Sequence, residues 1–200
     1  FRQERATHRA EYTQALYQLA TLKWQQQNYR PADSLFKELI NRTEQRGDTL
    51  NPYYLSALNN SGMISQAEGD VEKAIYFLEK AHQNRKRVYP EHSPEYLASL
   101  NNLAKIYLQS DMADKAEALY QTLFNDDTLD MPWQVAMLWD NWAIIDTENG
   151  KFLQANQKLK KAQSIYKHHL NDKKSEIEPH YANMLYDLGQ NYQSLGQYDS

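Results

Sequence analysis

Asparagines recur at fixed intervals in this 200-residue chain. Asn59 and Asn60 are followed 42 residues later by Asn101 and Asn102, and Asn141 falls near the next interval. A side-chain amide donates and accepts hydrogen bonds at once. Asparagine is a poor helix former, so repeated amides within helical sequence ask for a reason. Catalysis has far less to work with. The chain has no cysteine, which excludes disulfides, thiolate metal sites and cysteine nucleophiles. No G-x-x-x-x-G-K-S/T, G-x-G-x-x-G, G-x-S-x-G or H-E-x-x-H pattern occurs. His168 and His169 are adjacent, so on a helix they point about 100° apart and cannot chelate together. Residues 125–130 are acidic but lack the glycine and distal glutamate of a calcium loop; an inter-repeat turn is expected there. These residues predict a chain that binds rather than catalyses, with no metal and no cofactor.

The elements that must hold these amides are helical. The chain has 23 Leu and 19 Ala against 3 Val, and β-branched residues are the poorer helix formers. Six Gly and six Pro leave little material for the turns of an all-β fold. With 41% apolar residues the chain can build a core. Net charge of −4 argues against a general nucleic-acid binder. Mean hydropathy is −0.86, and no run of about 18 apolar residues could span a bilayer. Neither nucleic acid nor direct membrane insertion is expected.

A repeat organises the helices. Leu58-Asn59-Asn60-Ser61-Gly62 returns as Leu100-Asn101-Asn102-Leu103-Ala104, then as Trp139-Asp140-Asn141-Trp142-Ala143 and Leu185-Tyr186-Asp187-Leu188-Gly189. The small residue runs Ala20, Gly62, Ala104, Ala143, Gly189, at spacings of 42, 42, 39 and 46. Each copy reads as two antiparallel helices around a polar turn such as Glu68-Gly69-Asp70. The predicted helices are 5–26, 31–46, 52–68, 71–88, 94–109, 112–124, 131–149, 152–170 and 178–195. Pro52, Pro94, Pro132 and Pro179 are expected to open first helices, and Pro31 a second helix, since proline suits the first turn. No helix pair buries its apolar face alone, so stacked pairs should form one continuous core. The expected fold is all-α, a single solenoid domain over 1–200 with repeats 5–46, 52–88, 94–124 and 131–170 and a half repeat 178–200.

The skeleton Gly62, Gly69, Ala74 and Ala104, Asp111, Ala116 resembles the tetratricopeptide repeat. The usual period is about 34; the longer interval here resembles the kinesin-light-chain-like variety. The closest match runs from Arg87 to Ala104, with Leu100-Asn101-Asn102-Leu103-Ala104 inside it and Ser93 separating His92 from Pro94. The resemblance implies a right-handed superhelix whose first helices line a concave, peptide-binding surface. On a helical wheel the residues facing that surface are Asn59, Asn60 and Met63, then Asn101, Asn102 and Lys105, then Asp140 and Asn141, then Tyr186 and Asp187. In related repeats such asparagines hold peptide backbone; they could equally tie neighbouring helices together. Lys105 is the only strong cation on the central face, so a peptide of mixed charge is expected rather than a terminal carboxylate. Trp139 and Trp142 read as core; Trp24 and Tyr186 are aromatic candidates for the groove. Lys158, Lys160 and Lys161 read as a solvated face.

The expected function is a non-catalytic interaction module with a protein or peptide partner. The alternative is a regulatory or sensory segment whose output domain lies outside these residues. The sequence begins at Phe1 and stops at Ser200, in the turn where a further helix should start. It therefore reads as a piece of a longer protein, with further repeats or an output domain after Ser200. Absent cysteine suits a cytoplasm or a bacterial periplasm.

Overall fold

A computed structural model describes the backbone of residues 2–124 and 132–196, and the side chains from residue 7 onward within them. The turn expected at 125–130 and the residues after Gly196 lie outside the described residues. Nine helices are present among the described residues, α1 (Arg2–Gln25), α2 (Tyr29–Glu44), α3 (Pro52–Ala67), α4 (Val71–Val88), α5 (Pro94–Leu108), α6 (Ala113–Leu123), α7 (Gln134–Glu148), α8 (Phe152–His169) and α9 (Lys174–Ser194). The all-α fold of stacked helix pairs is as expected. No helix is long and apolar enough to cross a membrane among these residues.

The chain divides into two compact units, residues 1–89 and 90–200. In the first, α1 pairs with α2 and α3 with α4, and α3 also packs on α1 and α2. Its core is built from Leu16 and Ala20 of α1, Ala32, Phe36, Leu39 and Ile40 of α2, Tyr54, Leu55 and Leu58 of α3, and Phe77 and Ala81 of α4. In the second unit α5 pairs with α6 and α7 with α8, while α7 also contacts α5 and α9. There Leu100, Ala104, Tyr120, Val135, Leu159 and Tyr166 are buried.

Local signals explain the boundaries. Pro52 and Pro94 each occupy a first helical turn, preceded by Asn51 and Ser93, whose side chains accept from the backbone N–H of Tyr53 and Tyr96. Five turns use one left-handed residue, seven positions after each small residue. These are Gln27 (φ 61°), Gly69 (φ 80°), Asp111 (φ 57°), Gly150 (φ 71°) and Gly196 (φ 69°). At Gly69 the next N–H, that of Asp70, donates to the Ser65 carbonyl at 2.8 Å, and this closes the helix.

Two prolines depart from expectation. α7 begins two residues after Pro132, at Gln134. α9 begins at Lys174, so Pro179 sits inside the helix rather than opening it. The reason is packing. Ile177, Tyr181, Met184 and Leu188 form one apolar stripe, and Ile177 is fully buried. That burial offsets the hydrogen bond Pro179 cannot donate.

Candidate functional site

The second unit brings six of the predicted groove residues onto one cavity. Asn101 and Lys105 come from α5, Asp140 and Asn141 from α7, and Tyr186 and Asp187 from α9. The cavity measures about 420 Å³ and opens to solvent. Met137, Ile144, His180 and Asn183 complete its wall. His180 and Asn183 fall inside the predicted helix 178–195, but they precede the Tyr186-Asp187 pair that the repeat aligns with the other asparagine positions. The apolar stripe reaching back to Ile177 was the signal that α9 starts earlier. Trp133 steadies His180, their ring centroids 5.6 Å apart.

The amides do both things a side-chain amide can do. Asn141 Nδ2 donates to Asn101 Oδ1 at 2.5 Å, tying α7 to α5. That bond uses one polar atom of each amide; Asn101 Nδ2 and Asn141 Oδ1 take no part in it. Asn102 is half-buried beside Pro94, Leu97 and Ala98 in a smaller cavity of about 140 Å³.

The carboxylates are the electrostatic feature of the site. Asp140 Oδ1 is buried and accepts no hydrogen bond. Burial, reinforced by the nearby Asp187 charge, pushes the Asp140 carboxyl up to about 7 from its usual 3.8. Burial also raises Asp187. Behind Asp140, the Tyr166 phenol on α8 is raised by burial and then by the Asp140 charge, and its hydroxyl is unpartnered. Tyr186 is 67% exposed at the rim.

A second cavity of about 260 Å³ adjoins the first between α7 and α9, sharing Ile144 and Asp187 with it. Ala143 and Leu159 make much of its wall apolar. Asn191 also lines it and is 1% exposed. The Thr147 hydroxyl lies 3.1 Å from Asn191 Oδ1, while Asn191 Nδ2 has no partner.

In the first unit the predicted residues fare differently. Asn59 and Met63 are half-buried on one face of α3, Asn59 Nδ2 lying 3.7 Å from Met63 Sδ. Asn60 is only 7% exposed and presents nothing to a ligand, which corrects its place on the groove face. The cause is that α3 packs on α1, α2 and α4, so more of its circumference is covered than a single core direction implies. Trp24 packs against the core of this unit.

The aromatic and lysine readings need one correction. Trp139 is buried and stacks with Trp142 at 5.4 Å, as core residues should. Lys158, however, is not on a solvated face. Its ammonium pairs with buried Asp146 and lies 4.2 Å from the Trp142 ring centroid.

Residues 53–125 match the family model for the tetratricopeptide repeat. No curated protein matches the sequence. Among solved structures, BtubC (BKLC) from P. vanneervenii is similar with a TM-score of 0.75 at 20% identity, over 98% of this chain and 79% of that one. Repeats of a Podosopora anserina protein named for kinesin light chain give a TM-score of 0.69 at 20% identity, over 92% and 87%. A Rap protein complexed with Competence and Sporulation Factor gives 0.61 at 14% identity, over 92% and 49%. At these identities the likeness is one of fold. Residues 53–125 thus carry the tetratricopeptide repeat, and the rest of the chain shares the fold of these repeat structures.

Proposed function

We propose that the chain is a non-catalytic interaction module that binds an extended segment of a partner protein, and that the α5–α7–α9 cavity is the main site. Repeats of this type are protein-interaction scaffolds. The observation that carries the reading is the convergence of Asn101, Asn141, Asp140 and Asp187 on one open cavity. A peptide main chain offers carbonyls to Asn101 Nδ2 and N–H groups to Asn141 Oδ1 without demanding a sequence. Tyr186 at the rim supplies the aromatic surface on which interfaces concentrate binding energy. The Rap protein of similar fold is itself seen with a bound factor. In the first unit, Asn59 and Met63 are the matching face.

Selection of binders from a random peptide library tests this. Replacing Asn101, Asn102 and Asn141 together with alanine is expected to weaken the selected peptides by about tenfold or more, at roughly 1 kcal/mol per lost hydrogen bond. Unchanged binding by a triple variant with native helical circular dichroism would overturn the site.

A further inference from the structure

We infer that the α5–α7–α9 cavity selects an arginine side chain in the bound peptide, and that the adjoining cavity takes an apolar side chain two residues away. This inference rests on the peptide-binding reading and names the chemistry of that site.

The first half follows from unmet charge. Asp140 Oδ1 is buried without a hydrogen bond, and Asp187 lies close enough to repel it. A carboxylate in that position is costly unless a cation or donor reaches it. Protonation removes the charge but leaves an acid hydrogen that also needs a partner. A guanidinium answers all of this. It is planar, stays charged, and carries five donors that can serve two carboxylates at once. Asn141 Oδ1, which takes no part in the bond to Asn101, is one more acceptor. The rim residue Tyr186 offers a face on which a guanidinium stacks. An ammonium is a more strongly hydrated point charge and bridges two carboxylates less well.

The second half rests on a separate observation, in the cavity next door. Asn191 is 1% exposed, with Oδ1 within reach of the Thr147 hydroxyl and Nδ2 without a partner. A main-chain carbonyl of a ligand would satisfy that donor. Asp187 and Asn191 are four residues apart on α9, as Asp140 and Ile144 are on α7, so the two cavities lie one helical turn apart. One turn is about 5.4 Å. Two residues of an extended chain cover about 6–7 Å and place their side chains on the same side. An arginine and an apolar residue separated by one position therefore fit the two cavities together, the apolar one against Ala143, Ile144 and Leu159.

Lys105 gives the inference its sharpest edge. It is exposed and lines the charged cavity. If the ligand group is cationic, Lys105 opposes it; if it is anionic, Lys105 holds it.

The test uses short alanine-based peptides carrying Arg-Ala-Leu or Leu-Ala-Arg, with lysine, glutamine or glutamate replacing arginine in control sets. Their affinities are measured by fluorescence anisotropy on the whole chain. The expected order is arginine, then lysine, with glutamine and glutamate weakest. Asp140→Asn with Asp187→Asn should cost the arginine peptide about tenfold or more, as for hydrogen bonds to charged groups. These near-isosteric changes remove a repulsion, so the variant should still fold, which circular dichroism checks. Lys105→Met should tighten arginine binding. Glutamate peptides binding best, or weakening of arginine binding by Lys105→Met, would overturn the inference. So would arginine affinity unmoved by the double variant. If library-selected peptides need Asn101 and Asn141 but show no arginine, the arginine inference fails and the peptide site stands. If no selected peptide depends on those asparagines, the peptide site itself fails.

Discussion

Among the described residues, an ion pair ties two helices together in each unit, and the two pairs differ in their contact with water. In the first unit Lys80 of α4 donates to Glu44 Oε1 at the end of α2 at 2.7 Å, and the Tyr54 hydroxyl donates to the same oxygen at 3.0 Å. The side chains of Lys80 and Glu44 are 29% and 33% exposed. In the second, Lys158 of α8 pairs with Asp146 of α7, at 14% and 6% exposure, and the ammonium lies over Trp142. Water can replace either partner in the first pair. In the second, removing one partner leaves a charge in the protein interior. The same kind of contact is thus a surface tie in one unit and a structural commitment in the other.

The largest expected effect tests that difference. Lys158→Met should destabilise the second unit by about 3–5 kcal/mol, the cost of stranding a buried charge. Lys80→Met should cost the first unit about 1 kcal/mol or less, as for a partly exposed pair. Adding Asp146→Asn to Lys158→Met should recover much of the loss, because the stranded charge goes with it. Hydrogen exchange in each unit as a function of urea measures all three. Equal losses for the two lysines would break the comparison.

The units should also respond to pH with opposite sign. In the first, burial and then the Lys86 and Arg85 charges hold His82 down to about 4 from its usual 6.5. The unfolded chain takes up a proton that the folded one refuses. His82 therefore contributes stability that is present above about 6.5 and is lost as pH falls toward 4. In the second, Asp140 is held up at about 7 from 3.8. Here the folded state keeps a proton the unfolded chain gives up. Its contribution is full below about 3.8 and is lost as pH rises through 7. Each swing should be on the order of 1–3 kcal/mol. Hydrogen exchange between pH 4 and 8, corrected for the intrinsic rate, should show protection of the two units drifting in opposite directions. His82→Leu should flatten the first drift and Asp140→Asn the second.

Sequence reached the repeat well because its signals are local. α3, α4 and α5 start at the expected residues Pro52, Val71 and Pro94, where a cap or a proline marks the first turn. Six cavity residues were legible because a helical wheel fixes direction around one axis. It does not say how many neighbours surround that axis, and so Asn60 was misplaced on a helix packed by three others. Lys158 was misread for a related reason. Beside Lys160 and Lys161 it looks solvated, and Asp146 is 12 residues away on the facing helix. Pairing across helices leaves no periodic trace. Gln27 and Asp111 show a subtler gap, standing in left-handed turns where three other repeats use glycine. Only the seven-residue distance from the preceding small residue marks them.

That small residue offers the finest comparison, because glycine fills it in both units with opposite surroundings. At Gly62 a Cβ would lie 2.7 Å from Leu78 Cγ and 3.3 Å from the Ala74 carbonyl oxygen. Cγ is the branch point of its side chain and the carbonyl belongs to α4, so relief requires α3 and α4 to move apart. At Gly189 a Cβ would meet nothing within 4 Å. Glycine in a helix interior costs about 0.5–1 kcal/mol relative to alanine. Gly189→Ala should therefore stabilise the second unit by up to about 1 kcal/mol. Gly62→Ala gains the same backbone term, but overpacking a tight contact costs about 1–3 kcal/mol, so the net change should be a loss. The urea midpoint of each variant decides it. Destabilisation by both would mean that α9 needs close approach at Gly189 too, and that the open face seen there is covered in solution. Stabilisation by both would mean that the α3–α4 contact yields easily and that a glycine is not required at Gly62.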